Sequence, residues 1–398
     1  MPMSRTLWIT LFVAFANGLS FTILIPILYP YGRQFGLSNF ETSLLFASYA
    51  AAQFFATPVI GKLSDRFGRK PLLIVSLAGT VVANLLAGLA PYAAILFLAR
   101  FLDGITGGNI SVAQAIVSDI TAPAERAKAF GWFAAVTFGL GFVLGPAVSL
   151  LAQQISLGAG FLVSSVIALI ALILTIVALP ETLPTKTAQA EPIWALGLGK
   201  LITGLAWPKL GILFVINFLI GTTFTIFTFA FQPYFLHILG QDNKSLTLQF
   251  MLFGMVAIAM QAKGIPWLTR HLSLTRILFL GLLVRSLAFV LMPLLPNIIY
   301  FIGLSVVFSI FNALVQPMIT TLISLNAKPE EQGTALGLNA SYLNVSNAFG
   351  PIIAGTIIHE VDPRTYAYPL FLAGGLTFSV LVFAILTRHQ YTPTTKTA

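Results

Sequence analysis

The stretch Gly61-Lys62-Leu63-Ser64-Asp65-Arg66-Phe67-Gly68-Arg69-Lys70-Pro71 lies between two apolar runs, 41 to 60 and 71 to 90. Each run is close to the roughly 20 residues that a helix needs to cross a hydrocarbon layer of about 30 Å. The stretch itself carries four cations, Lys62, Arg66, Arg69 and Lys70, and one acid, Asp65. Its glycines permit a tight turn, and Pro71 can stand at the start of a helix because the missing N–H would have no partner there. The pattern reads as two membrane helices joined by a short basic loop at a lipid headgroup surface.

Working outward, the same alternation fills the chain. Apolar residues make up 57% of the 398 residues and charged residues only 8%, against roughly 25% charged in a soluble domain. Spanning windows fall near 7–28, 41–60, 71–90, 93–118, 130–152 and 159–179. Six more fall near 209–232, 247–268, 276–295, 298–322, 335–358 and 368–387. The first window, behind Arg5, reads as a spanning helix rather than a cleaved leader, because it runs on well past Ala14-Phe15-Ala16. Cysteine is absent, which removes disulfides, thiolate metal sites and cysteine nucleophiles. The net charge of +9 does not point to nucleic acid, since the basic residues sit in short loops rather than on one solvated face.

All Lys and Arg fall on one side of these spans except Arg33, Lys244 and Arg364 on the other and Arg100 and Arg285 within the apolar runs. The positive-inside rule then places both termini in the cytoplasm, with an even number of spans. The longest polar interval, 181–208, reads as a cytoplasmic linker between a six-helix bundle over 1–180 and a second over 209–398 that ends in a short cytoplasmic tail. The halves repeat each other. Pro26 and Pro233, Arg66 and Arg270, and Gly145-Pro146 and Gly350-Pro351 recur at nearly constant offset. So do Pro123, Glu125, Ala129 and Gly131 as Pro329, Glu331, Ala335 and Gly337. With six spans per half, the repeat is parallel, about an axis along the membrane normal.

Gly61, Asp65, Arg66, Gly68 and Arg69 resemble the signature of the major facilitator superfamily. The resemblance implies a fold of two six-helix bundles with alternating access and a cytoplasmic gate lock in which Asp65, Arg66 and Arg69 take part. The second copy, Gly264 to Arg276, has lost the acid and the following glycine, so the lock is expected to be asymmetric. In the fifth span, Gly141, Gly145 and Pro146, with Gly139 and Ser149, look like the motif that marks antiporters of this superfamily. Small residues four apart also let two helix backbones approach closely. Asp119-Ile120-Thr121 with Arg126 and Gly131 narrows the resemblance to the twelve-helix drug-proton antiporters, tetracycline exporters among them.

Arg100 and Asp103 stand where hydrocarbon is expected. At about 1.5 Å per residue from residue 93, Asp103 lies roughly 15 Å deep. Charges there are costly and face a partner or a cavity, and residues three apart share one helix face. Two readings stand: a fixed ion pair that orders the bundle, or proton coupling, in which separating Asp103 from Arg100 changes its proton affinity. Arg100 falls on the family's motif arginine. At Asp103 the family more often has a neutral polar residue, and Asn17 stands where many relatives have an acid. Arg285 is also at mid-depth and is expected to pair with a buried carbonyl or to face a groove.

Neutral polar residues form stripes that are expected to bond between helices or to line a cavity. Asn217, Thr225, Thr228 and Gln232 lie within about 80° of one another at 100° per residue. Asn312 and Gln316 are four apart, and Asn339, Asn344 and Asn347 fall in an arc of about 160° with Ser346. With 34 Phe in the chain, such a cavity would suit amphipathic organic molecules. There is no phosphate-binding Gly-x-x-x-x-Gly-Lys-Ser/Thr loop, and His237, His271, His359 and His389 are too scattered to ligate a metal. The expectation is a monomeric secondary transporter of the plasma membrane, without cofactor, that exports small lipophilic molecules in exchange for protons. A uniporter or importer of a metabolite on the same fold is the main alternative, and a polytopic enzyme or channel the more distant one.

Overall fold

The computed structural model of the chain describes residues 5–122, 125–183, 198–327 and 332–391. Pro123, Pro329 and Glu331 of the repeated loops, and Lys186, Lys328 and Lys396 of the charge count, lie outside the described residues, as does the side chain of Arg126. The described residues are mainly helical, joined by short turns, without a strand.

Eleven helices are long and apolar enough to cross a membrane. They are α1 (Arg5–Gln34), α2 (Asn39–Phe67), α3 (Arg69–Gly88), α4 (Ala93–Ile120), α5 (Ala129–Ala152), α6 (Ala159–Ala178), α7 (Leu210–Ile238), α8 (Asn243–His271), α9 (Leu274–Leu294), α10 (Ile298–Asn326) and α12 (Pro363–Tyr391). Between the last two lies α11 (Gln332–Ile357), whose 26 residues are long enough to span. Its asparagines make it more polar than the rest. Several helices outrun the apolar windows: α1 has 30 residues, about 45 Å. Prolines sit inside α1, α2, α5, α7, α10 and α11, which membrane helices tolerate because neighbouring helices and Ser or Thr side chains take up the freed backbone groups.

Three local features differ from the sequence reading. Gly61–Phe67 is not loop but the end of α2, so the whole turn to α3 is Gly68, at φ 114° and ψ 154°. Only glycine adopts that backbone readily. The fourth span is interrupted at Gly107-Gly108, between Ala93–Thr106 and Asn109–Ile120. Inside the expected linker, Leu198–Leu205 forms a short helix.

Contacts divide the chain into two compact units. Unit 1 holds α1, α2 from Ser48 onward, α3 to α6 and Asn243–Gly254 of α8. Unit 2 holds Ser38–Ala47, the chain from Gly197 to Asp242, and everything from Met255 onward.

One hydrogen bond recurs in both units. In unit 1 the Thr22 hydroxyl of α1 donates to the Gly141 carbonyl of α5, 2.7 Å. In unit 2 the Thr225 hydroxyl of α7 donates to the Ser346 carbonyl of α11, 2.9 Å. A Cβ added at Gly145 or at Gly350 would run into the corresponding threonine. The glycine of each Gly-Pro pair thus creates the space in which a helix brings its threonine against a neighbour's backbone.

Candidate functional site

The polar centre of unit 1 is assembled from four helices. Gly104 and Gly107 of α4 lie against Tyr49 and Gln53 of α2 with no room for a side chain. That close approach lets the Gln53 amide donate both to the Tyr49 hydroxyl, 3.0 Å, and to the Gly107 carbonyl, 3.2 Å, where the α4 helix is interrupted. The Tyr49 ring then lies under Arg100, with the guanidinium carbon 4.2 Å from the ring centroid, a geometry that favours a cation over the aromatic face.

Arg100 donates from one terminal nitrogen to Asp103 Oδ2 at 3.3 Å. Thr80 of α3 lines the pocket beside this pair. Both charged side chains are buried, 7% and 13% exposed, and Arg100 Nε has no partner. A small cavity opens beside them, lined also by Asn17, Ser20, Phe21, Asn84 and Asn109. About 20 Å³ is open to the centres of water molecules, which admits a water or two and no drug-sized ligand. The Asn17 amide of α1 donates to Asn109 Oδ1. Asn17, Arg100 and Asp103, singled out separately in the sequence, therefore line one cavity.

The turn between α2 and α3 holds a second polar cluster. Arg69 is a hub: its guanidinium meets Asp65 at 2.5 Å, Asp119 at 3.0 Å and the Ser64 hydroxyl at 2.7 Å. Glu181, beyond the end of α6, accepts the backbone N–H of Arg69 at 2.9 Å and of Lys70 at 3.2 Å, capping α3. It also accepts from Thr182 and Leu183. Burial works against its charged form, but the four backbone donors outweigh it and hold the Glu181 carboxyl below the usual range. Arg66 is exposed over the Phe67 ring, 5.5 Å away, and Gly61 faces open space. Gly141, Gly145 and Pro146 are buried on α5 along its seam with α1.

In unit 2 the α7 stripe faces α11. The Asn217 amide donates to Asn339 Oδ1, 2.5 Å, and Thr225 to the Ser346 carbonyl. Thr228 donates to the Phe224 carbonyl within α7, and Gln232, fully buried, to that of Thr228. Asn312, Gln316 and Asn344 are half-buried and Asn347 is exposed. None of these four side chains has a hydrogen-bond partner among the described residues. Arg285 is 1% exposed, donates to the Ile220 carbonyl and the Thr223 hydroxyl at 2.8 Å each, and lies between Phe224 and Phe289.

Sequence reasoning missed Tyr49, Gln53, Thr80, Ser64 and Glu181. Asp119 carried a signal as part of Asp119-Ile120-Thr121, but nothing in the sequence joined it to Arg69.

Residues 10–207 and 213–398 match the model of the family described as the Major Facilitator Superfamily. The chain is 28% identical over 368 residues to multidrug resistance protein 2 of Bacillus subtilis (strain 168), covering 92% of this chain and 90% of that protein. It is 25% identical over an alignment of 408 residues to the tetracycline resistance protein, class B, of Escherichia coli, covering 98% and 97%. Among solved structures, the human organic anion transporter MFSD10 superposes with a TM-score of 0.73 at 19% identity, covering 96% of this chain and 99% of that one, a likeness of fold.

Proposed function

Because the chain belongs to the major facilitator superfamily, a family of membrane transporters and not of enzymes, we propose that it exports small lipophilic or amphipathic molecules by proton antiport. It is a multi-pass protein of the plasma membrane. The similarity to a multidrug and a tetracycline resistance protein supports export of drug-like compounds. In this reading α11 is the twelfth span, both termini are cytoplasmic, and the six-helix bundles 1–180 and 209–398 rock about a central site to give alternating access. The chain works as a monomer.

The observation that carries the proton coupling is the Arg100–Asp103 pair beside a small polar cavity. Among the acids of the described residues, Asp103 alone lies deep inside a span, and an ionisable group there signals function by default. When Asp103 is ionised, Arg100 holds its carboxylate. A proton entering through cavity water converts it to the neutral acid and releases the guanidinium, whose Nε already lacks a partner. Exchange follows if substrate occupies the ionised state in preference to the protonated one, since a ligand shifts an equilibrium only by its differential affinity. The half-buried and exposed Asn312, Gln316, Asn344 and Asn347 are the unit 2 residues best placed to meet a substrate.

The test is transport in proteoliposomes with a pH gradient. Substrate-driven proton movement is expected in the native protein and absent in Asp103→Asn, with substrate binding retained. Substrate flux indifferent to the pH gradient in the native protein would make the chain a uniporter.

A further inference from the structure

The α2–α3 turn is met by acids that its copy between α8 and α9 lacks. In unit 1, Arg69 bonds Asp65 and Asp119, and the α3 N-terminus is capped by Glu181. In unit 2, Thr269 stands where the repeat places Asp65, and Ser273 where it places Arg69. No acid occurs anywhere between Asp242 and Glu330. Lys263, Arg270 and Arg276 are exposed around the turn, and none has an acidic partner among the described residues.

The end of α9 is equally incomplete. Ser273 stands at its N-cap but makes no side-chain capping bond. Its hydroxyl lies 3.3 Å from that of Thr275 instead. At the place corresponding to Glu181, unit 2 has Thr387 and Arg388. Unit 1 shows that a helix start in this position takes an anion; unit 2 has Arg270 at the place of Arg66 and two further cations, Lys263 and Arg276, with no acid near them in sequence. Trp267, 61% exposed with its ring 4.9 Å from that of His271, stands on the same turn. Tryptophan is typical of the membrane–water interface, so the unmatched cations lie at headgroup level.

We propose that the α8–α9 turn binds the phosphate headgroup of an anionic phospholipid, which takes the place in unit 2 that the Glu181 carboxylate takes in unit 1. Lys263, Arg270 and Arg276 supply the charge, the uncapped N–H groups and the Ser273 and Thr275 hydroxyls supply donors, and Trp267 lies along the lipid. A phosphate is the appropriate ligand because helix N-termini and arginine both favour it.

The test is native mass spectrometry of the purified full-length chain titrated with phosphatidylglycerol or with phosphatidylcholine of the same acyl chains. Preferential retention of phosphatidylglycerol is expected. Each basic residue near an anionic headgroup is worth roughly fivefold in affinity, so the triple variant Lys263→Gln, Arg270→Gln, Arg276→Gln should lose at least tenfold. Lys244→Gln with Arg364→Gln, which removes cations elsewhere, should lose almost nothing. Ser273→Asp gives α9 a carboxylate of its own and should weaken phosphatidylglycerol binding while raising the unfolding midpoint in zwitterionic detergent. Absence of lipid preference, an equal loss in the control pair, or undiminished binding to Ser273→Asp would each overturn the proposal. Displacement of the lipid by millimolar inorganic phosphate would also overturn it, since the ligand would then be a soluble anion.

Discussion

Units 1 and 2 share a seam and differ in their buried charges. Thr22 on the Gly141 carbonyl and Thr225 on the Ser346 carbonyl are the same contact made twice. The buried arginines are not. Arg100 has a carboxylate 3.3 Å away and a cavity beside it, whereas Arg285 is held by a carbonyl, a hydroxyl and two phenylalanine rings. A duplicated scaffold thus carries one arginine whose partner can change protonation and one whose partners cannot. In the proposed mechanism proton chemistry belongs to unit 1, while Arg285 ties α9 to α7 through Ile220 and Thr223.

The largest effect that could break this contrast comes from removing the arginines one at a time. Arg100→Met strands a buried carboxylate and is expected to cost about 3 to 5 kcal/mol, with much of it recovered in the double variant Arg100→Met, Asp103→Asn. Arg285→Met strands no charge and should cost far less. Unfolding midpoints of the purified variants decide this, and equal losses would erase the distinction between the two sites.

The seam predicts matched, smaller effects. Gly145→Ala and Gly350→Ala each drive a methyl into a threonine and should cost about 1 to 3 kcal/mol by overpacking. Adding Thr22→Ala or Thr225→Ala, respectively, should relieve only part of the loss, because the Cβ and the backbone at each threonine also lie under 3.0 Å from the added methyl. Thr22→Val and Thr225→Val keep the shape and lose the interhelical bond, about 0.6 kcal/mol each, along with the hydroxyl's bonds to carbonyls of its own helix. A seam that mattered in one unit alone would show as unequal losses.

The smallest effect is at Glu181. Its carboxyl is held below the ordinary value of 4.5, so its contribution is complete above that pH and fades as pH falls through the lower folded value. Glu181→Gln should lower stability slightly at neutral pH and leave it almost unchanged below about pH 3, which flattens the acid side of the profile between about pH 3 and about pH 5, around the ordinary carboxylate value.

Much of this was legible in residue order, because membrane helices announce themselves by apolar length and a duplication by constant offset. Gly145-Pro146 and Gly350-Pro351 marked equivalent places, and the three-residue spacing of Arg100 and Asp103 put them on one helix face. The partners of those residues were not legible. Tyr49 and Gln53 reach the pair only because Gly104 and Gly107 let α2 close on α4, and which face of α2 turns inward is decided by packing. Glu181 caps a helix 112 residues away from it in sequence, and its place in a polar interval read as linker. Gly61–Phe67 looked like loop because charge and glycine signal turns, yet helix continues to the one residue, Gly68, whose backbone only glycine adopts. The polar stripe of α7 was visible, but not that α11 would take up Asn217 and Thr225.

The central claim is that Asp103 carries the exchanged proton. Its most direct test records internal pH in proteoliposomes of native and Asp103→Asn protein as substrate is added, with substrate binding measured on the same preparations. A substrate-dependent pH change is expected in the native protein and none in the variant, with binding retained in both. An undiminished pH change in Asp103→Asn would contradict it and leave the Arg100–Asp103 pair a structural tie, like Arg285.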